Sequence, residues 1–162
     1  MSTKGEKLAR QFEQANAEFV SFVRELSPEQ WKAECPGEGW TVGVVAHHIA
    51  DDHGILADLV KTIANGGVVP VLTADFINGL NADHAQRAAG CTREETVELA
   101  QSRGAQAADM LLSLSDQQFT ETAVMPLAGG EVSAEVISEM LLIGHIGMHI
   151  GSIQAAIVSP PA

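Results

Sequence analysis

The sequence predicts an all-α fold, a four-helix bundle running up-down-down-up with a short extra helix in the crossover between its second and third helices. Three observations carry this expectation. Apolar residues recur at helical spacing over four long stretches, each long stretch after the first opens on a side chain suited to cap a helix, and alternating apolar and polar runs are too short to compete as strands. The 162 residues are expected to form a single domain, 1–162, long enough to bury a core without disulfide or metal staples.

The first helix is expected over residues 4–26, where Leu8, Phe12, Ala15, Phe19 and Phe22 share a face. Ser27-Pro28-Glu29-Gln30 ends it with a capping-box pattern and a proline suited to the first position of a short new turn. The second helix opens at Thr41 as N-cap, with Trp40 placed to staple against Val45, and closes near Ala64 before Asn65-Gly66-Gly67. The long crossover that follows contains the extra helix, residues 74–89, capped by Thr73 and stopped by Gly90. A connection of that length can return the chain along the bundle, so the second and third helices are expected to run parallel.

The third helix begins at the capping box Thr92-Arg93-Glu94-Glu95 and continues to about residue 114 despite Gly104. The fourth runs from Ser133 to Val158, where Pro160-Pro161 forbid continuation. A weak internal echo, Leu26-Ser-Pro-Glu-Gln-Trp31 against Leu114-Ser-Asp-Gln-Gln-Phe119, fits two helix pairs related by an approximate twofold. The one apolar run outside the helices, Val68-Val69-Pro70-Val71, is interrupted by proline.

Hydrophobic residues at 46% and charged residues at 19% describe a chain that folds. Nine basic residues against 21 acidic ones leave a net charge of −12, which repels phosphate backbones and anionic lipid, so neither nucleic acid nor a membrane is an expected partner. The two cysteines, Cys35 and Cys91, have no disulfide-scaffold or metal-motif spacing, and the polar N-terminus lacks a signal-peptide apolar region, which together point to the cytoplasm. Residues 140–158 carry no Asp, Glu, Lys or Arg, but they contain two histidines, Ser152 and Gln154 and lack basic flanks. They are read as a buried central helix rather than a membrane span.

The six histidines can be sorted by helical angle, each residue turning the side chain by about 100°. On the second helix His48 lies within the apolar arc formed by Val44, Val45, Ile49, Ile55, Leu56, Leu59, Val60 and Ile63, His47 points outward, and His53 sits at the far edge. Asp52, one turn beyond His48, also falls within the arc. It needs a partner there and could accept a histidine N–H, serve as a fourth ligand, act as a general base, or sit as a solvated rim charge.

His145 and His149 are one turn apart on the fourth helix and project from one face. Counting about 1.5 Å per residue along antiparallel second and fourth helices puts them at the height of His48. Three imidazoles meeting in an apolar bundle are either a hydrogen-bonded core cluster or a set of metal ligands. The metal reading is favoured because it satisfies all three nitrogens and leaves coordination positions open for chemistry. Gly144, Gly147 and Gly151 gather roughly opposite, where another helix of the fold or a second subunit could approach closely.

The stretch Trp40-Thr-Val-Gly-Val-Val-Ala-His-His48-Ile-Ala, with His145-Ile-Gly-Met-His149 far downstream, resembles the DinB/YfiT-like metalloenzyme family; Asn81-Ala-Asp-His84 and Leu114-Ser-Asp-Gln117 look like that family's middle region. The resemblance implies an up-down-down-up bundle, frequently a homodimer, with a histidine triad holding nickel, zinc or a similar ion. By position the first ligand maps to His48 and the H-x-x-x-H pair to His145 and His149.

Relatives of this kind include mycothiol-dependent maleylpyruvate isomerase and S-transferases that use mycothiol or bacillithiol. In these the metal activates the thiol, as expected for a coordinated sulfur held as thiolate. This chain is expected to differ from the isomerase in carrying His145 where that enzyme has a carboxylate and in lacking an additional C-terminal domain, so the resemblance alone does not imply maleylpyruvate as its substrate. The expectation is a metal-dependent transferase or related enzyme acting on a small molecule with a low-molecular-weight thiol or water, Asp52 being the candidate proton acceptor. The competing expectation is a module that binds metal or a small ligand without turnover.

Overall fold

Thr3 opens the first helix: its hydroxyl accepts from Glu6 N at 3.1 Å, and the Glu6 carboxylate accepts from Thr3 N at 2.9 Å. The structure, a computed structural model, describes residues 2–158. Helix α1 spans Lys4–Glu25, and the short α2, Pro28–Lys32, follows with the capping box of Ser27 and Gln30 closed as expected. Helix α3 is Val42–Ala64 with Thr41 as N-cap; α4, the crossover helix, is Ala74–Arg87 with Thr73 as N-cap. Helix α5 is Arg93–Ser113, opened by the capping box of Thr92 and Glu95, and α6 is Ala134–Val158, opened by Ser133. The Pro160-Pro161 stop lies outside the described residues.

Cross-links along the helices fix their directions. Lys4 N donates to Asp116 beyond the far end of α5, Asn16 Nδ2 to Ala100 O, and Arg93 to Leu26 O, so α1 and α5 run antiparallel. Cys91, just before α5, meets Gly43 O near the start of α3, Arg103 meets Asp51, and Gln118 beyond the end of α5 meets Asn65 at the end of α3. Those two helices are therefore parallel. With α6 packed against both α1 and α3, the four long helices form the up-down-down-up bundle. Its core is built from Leu8, Phe12, Phe19, Ile49, Ile63, Leu111, Phe119, Leu142, Ile146 and Ile153, each almost wholly buried.

Four features depart from the sequence expectation. Two small antiparallel hairpins are present: β1 (Glu34–Cys35) with β2 (Trp40–Thr41), and β3 (Thr122–Met125) with β4 (Gly130–Ser133). Strands this short carry no readable alternation, because each is held by its partner across a turn. Helix α4 stops at Arg87 rather than residue 89.

Helix α6 is not uniform, since residues Ser138–Ile143 form a π-helical segment between the α-helical turn Ala134–Ile137 and the α-helix Gly144–Val158. Nor is α6 a fully buried central helix: by length and apolarity it could cross a membrane, and 22% of its most apolar window is buried. One face turns inward on Ile146, His149 and Ile153, while no atom of another described element stands within 4 Å of a Cβ built on Gly147 or Gly151, so among the described residues no helix packs on that part of the glycine face.

Candidate metal centre

Antiparallel packing of α3 and α6 brings the early turns of α3 against the middle of α6. The structure brings His48, His145 and His149 together, with one ring nitrogen from each lying within 4.8 Å of the others. His145 Nε2 and His149 Nε2 are 3.0 Å apart. Asp52, one turn beyond His48, points its Oδ2 to 3.4 Å from both His48 Nε2 and His145 Nε2. Its carboxylate is therefore inside the cluster, and the rim-charge alternative does not describe it.

Glu38 was not singled out by the sequence. It sits on the turn between β1 and β2, where its Oε1 accepts from His149 Nδ1 at 2.6 Å, with 14% of its side chain exposed. Only the hairpin, which folds the Cys35-to-Trp40 turn back over α6, could have revealed it. Trp40 closes the same side: its ring lies edge-on to His48 with centroids 5.5 Å apart.

The remaining histidines also find places. His53 is wholly buried, its Nε2 on Asn16 Oδ1 at 2.8 Å and its ring edge-on to Phe12. His47, expected to face solvent, is half-buried and meets His84 of α4 at 3.1 Å, because the crossover helix covers that side of α3.

Burial governs the charges here. Desolvation first, and the neighbouring imidazoles second, press His48 and His145 down to about 3. Burial first and the charge of Asp51 second push Asp52 up to about 7, with Arg103 partly opposing. His48 and His145 are thus held as neutral imidazoles, the form that binds a metal.

The donor set fits a divalent ion. Glu38 accepts the Nδ1 proton of His149, which leaves His149 Nε2 as a lone pair aimed at His145. Without a cation His145 must donate its own Nε2 proton across that gap; an ion would replace that proton. Three imidazoles with a carboxylate beside them suit zinc, nickel, copper or iron, and the hydrogen bond from Glu38 is the support such ligands ordinarily receive.

The family model for the mycothiol maleylpyruvate isomerase N-terminal domain matches residues 12–142. The chain belongs to that family. The match carries the resemblance to the DinB/YfiT-like metalloenzymes from expectation to finding; it includes His48 and Asp52 and ends before His145 and His149.

YfiT from Bacillus subtilis, a probable metal-dependent hydrolase with an unusual four-helix bundle topology, superposes with a TM-score of 0.74 at 20% identity over 96% of this chain and 87% of its own. The mycothiol-dependent maleylpyruvate isomerase superposes with a TM-score of 0.70 at 15% identity over 94% of this chain, and a variant of it with one histidine replaced by alanine gives 0.71 at 13%. In both cases this chain spans 63% of the isomerase. The sequence has no match among curated proteins.

Proposed function

We propose that this protein binds a divalent ion, nickel or zinc, through His48, His145 and His149 and uses it as a metal-dependent transferase or related enzyme on a small-molecule substrate. The observation that carries the reading is the convergence of three ring nitrogens beside a carboxylate, with Glu38 orienting one of them. A bound ion supplies Lewis acidity, holding a low-molecular-weight thiol as thiolate or lowering the pKa of water.

The chain's own residues do the rest. Asp52 stands where it can take the proton that thiol or water gives up. Trp40 shields one side of His48 from water.

The maleylpyruvate isomerase relatives use mycothiol, which supports a thiol as co-substrate. Supporting a homodimer, residues 140–158 of α6 carry no Asp, Glu, Lys or Arg in a chain of net charge −12, and this stretch leaves Gly147 and Gly151 open and exposes Met140 and Met148 at 61% each. The acidic balance and cysteine usage support a cytoplasmic protein without nucleic-acid or membrane partners.

Metal analysis of purified wild type and His149→Ala tests the ligand set; equal, substoichiometric metal in both would refute it. Thiol transfer to electrophiles, compared between metal-loaded and chelated protein, tests the chemistry, and activity that survives chelation refutes metal catalysis. Burial of His48 and His149, 5% and 8% exposed, favours a second reading, since closed sites are the structural ones: a module that binds metal without turnover. Metal-dependent stabilisation with no turnover on any thiol would select it.

A further inference from the structure

Helix α3 carries two adjacent pairs one turn apart, His48 with Asp52 and His47 with Asp51. The first pair belongs to the centre above. The second is turned about 100° around the helix and meets α4. There His47 Nδ1 and His84 Nε2 lie 3.1 Å apart, and the His84 ring is 5.3 Å, centroid to centroid, from that of His48.

Helix α4 is built oddly for a helix held on by packing alone. It leaves Phe76 and Leu80 half exposed, at 48% and 51%, yet buries the imidazole of His84 to 5%. Among the described residues, His84 Nδ1 is the one buried side-chain nitrogen or oxygen with no hydrogen-bond partner. Such a group costs stability unless something else is gained by placing it there.

The ring's other nitrogen, Nε2, is the one that meets His47. Two ring nitrogens 3.1 Å apart are spaced like neighbouring ligands of one ion with bonds of about 2.1 Å. His145 and His149, at 3.0 Å, show the same spacing. Asp51 faces both rings, Glu95 faces His47 and Asp83 faces His84, against the cations Arg87 and Arg103. The Asp51 carboxylate is engaged by Arg103 at 2.7 Å, so the pair offers two protein donors and leaves the other positions to water or a ligand.

We propose that His47 and His84 hold a second divalent ion of the imidazole-preferring class, zinc, nickel or copper, beside the three-histidine centre. The site has its own ligands and does not require the triad to be occupied. With both filled, two cations on adjacent faces of α3 would attract one anionic ligand jointly.

Equilibrium dialysis of the full chain against zinc, followed by metal analysis, tests this. Wild type is expected to take up two equivalents and His47→Gln one, since glutamine can still hydrogen-bond to His84 but is a poor zinc ligand. His84→Phe should also lose one, with circular dichroism reporting that each variant is folded. A single equivalent in wild type, unchanged in folded His47→Gln, overturns the proposal. An equivalent lost in His47→Gln but retained in His149→Ala sustains it even if the triad takes up nothing, which separates this inference from the reading of the first centre. Copper adds an independent readout: two equivalents should give a dipolar-broadened electron paramagnetic resonance signal that sharpens in His47→Gln, and an unbroadened wild-type signal counts against adjacent sites.

Discussion

Holding imidazoles neutral inside the bundle makes the metal-free protein acid-sensitive by an amount the structure sets. His48 and His145 are pressed to about 3 and His53 to about 4, from an ordinary value of 6.5, so between these values the unfolded chain binds protons that the folded one refuses. Stability contributed by these groups is therefore lost as pH falls below the unfolded value. Asp52 has the opposite sign: raised from 3.8 to about 7, it holds a proton in the folded state that the unfolded chain releases, and it gains stability as pH falls through that window.

At about pH 4.5 the three imidazoles together cost several kcal/mol and Asp52 returns part of it, for a net loss on the order of 5 kcal/mol relative to neutrality. That is on the order of the whole stability of a small domain, roughly 5–15 kcal/mol. Urea denaturation of chelated protein from neutral to acid pH would show it, with stability falling steeply near pH 5 as about two protons are taken up on unfolding. A flat profile, or stability that rises on acidification, would refute the claim that these rings are buried neutral.

Three further outcomes are expected. Replacing Glu38 by Gln removes the carboxylate that polarises His149 and should weaken zinc binding by about 10–100-fold in chelator competition; unchanged affinity would mean the 2.6 Å contact does not support the site. Gly104→Ala places a Cβ 2.2 Å from Asn16 Nδ2, disturbing both the Asn16 bond to Ala100 O and the seat of His53, and should cost about 1–3 kcal/mol in thermal unfolding. Arg103→Ala frees the Asp51 carboxylate beside His47 and His84, so the zinc equivalent lost in His47→Gln should bind more tightly, by on the order of tenfold; weaker binding would show that Arg103 organises the pair instead.

The starts of the helices were legible because capping is local. Ser27, Thr41, Thr73, Thr92 and Ser133 each satisfy an amide within three residues, and each does so in the structure. The parallel course of α3 and α5 was legible from the length of the crossover. Glu38 was not, because it reaches His149 only after two strands of two residues have paired. The π-helical segment before Gly144 was also invisible, since no proline marks it and its extra residue per turn leaves the apolar pattern of α6 nearly intact. It does change the reading of height along α6, but by less than the reach of a histidine side chain, so the match of His48 with His145 and His149 survived it.

His47 shows where angular reasoning ends. A helical wheel divides His47 from His48 correctly, since adjacent residues point about 100° apart, but the wheel knows only the face of the bundle core. It assigns everything else to water. The second face of α3 is covered by α4, whose docking depends on a crossover with little apolar periodicity of its own and on the burial of a single histidine. That is why the doubled run His47-His48 and Asp51-Asp52 looked like one inward pair beside a solvated one. With α4 in place, one helix presents two like sets of ligands to two different neighbours: His48 and Asp52 to α6, His47 and Asp51 towards α4 and α5. A chain selected only to seat α4 would serve that end better with a leucine at position 84, which would bury more apolar surface. The imidazole there is therefore better explained by what it binds than by what it packs.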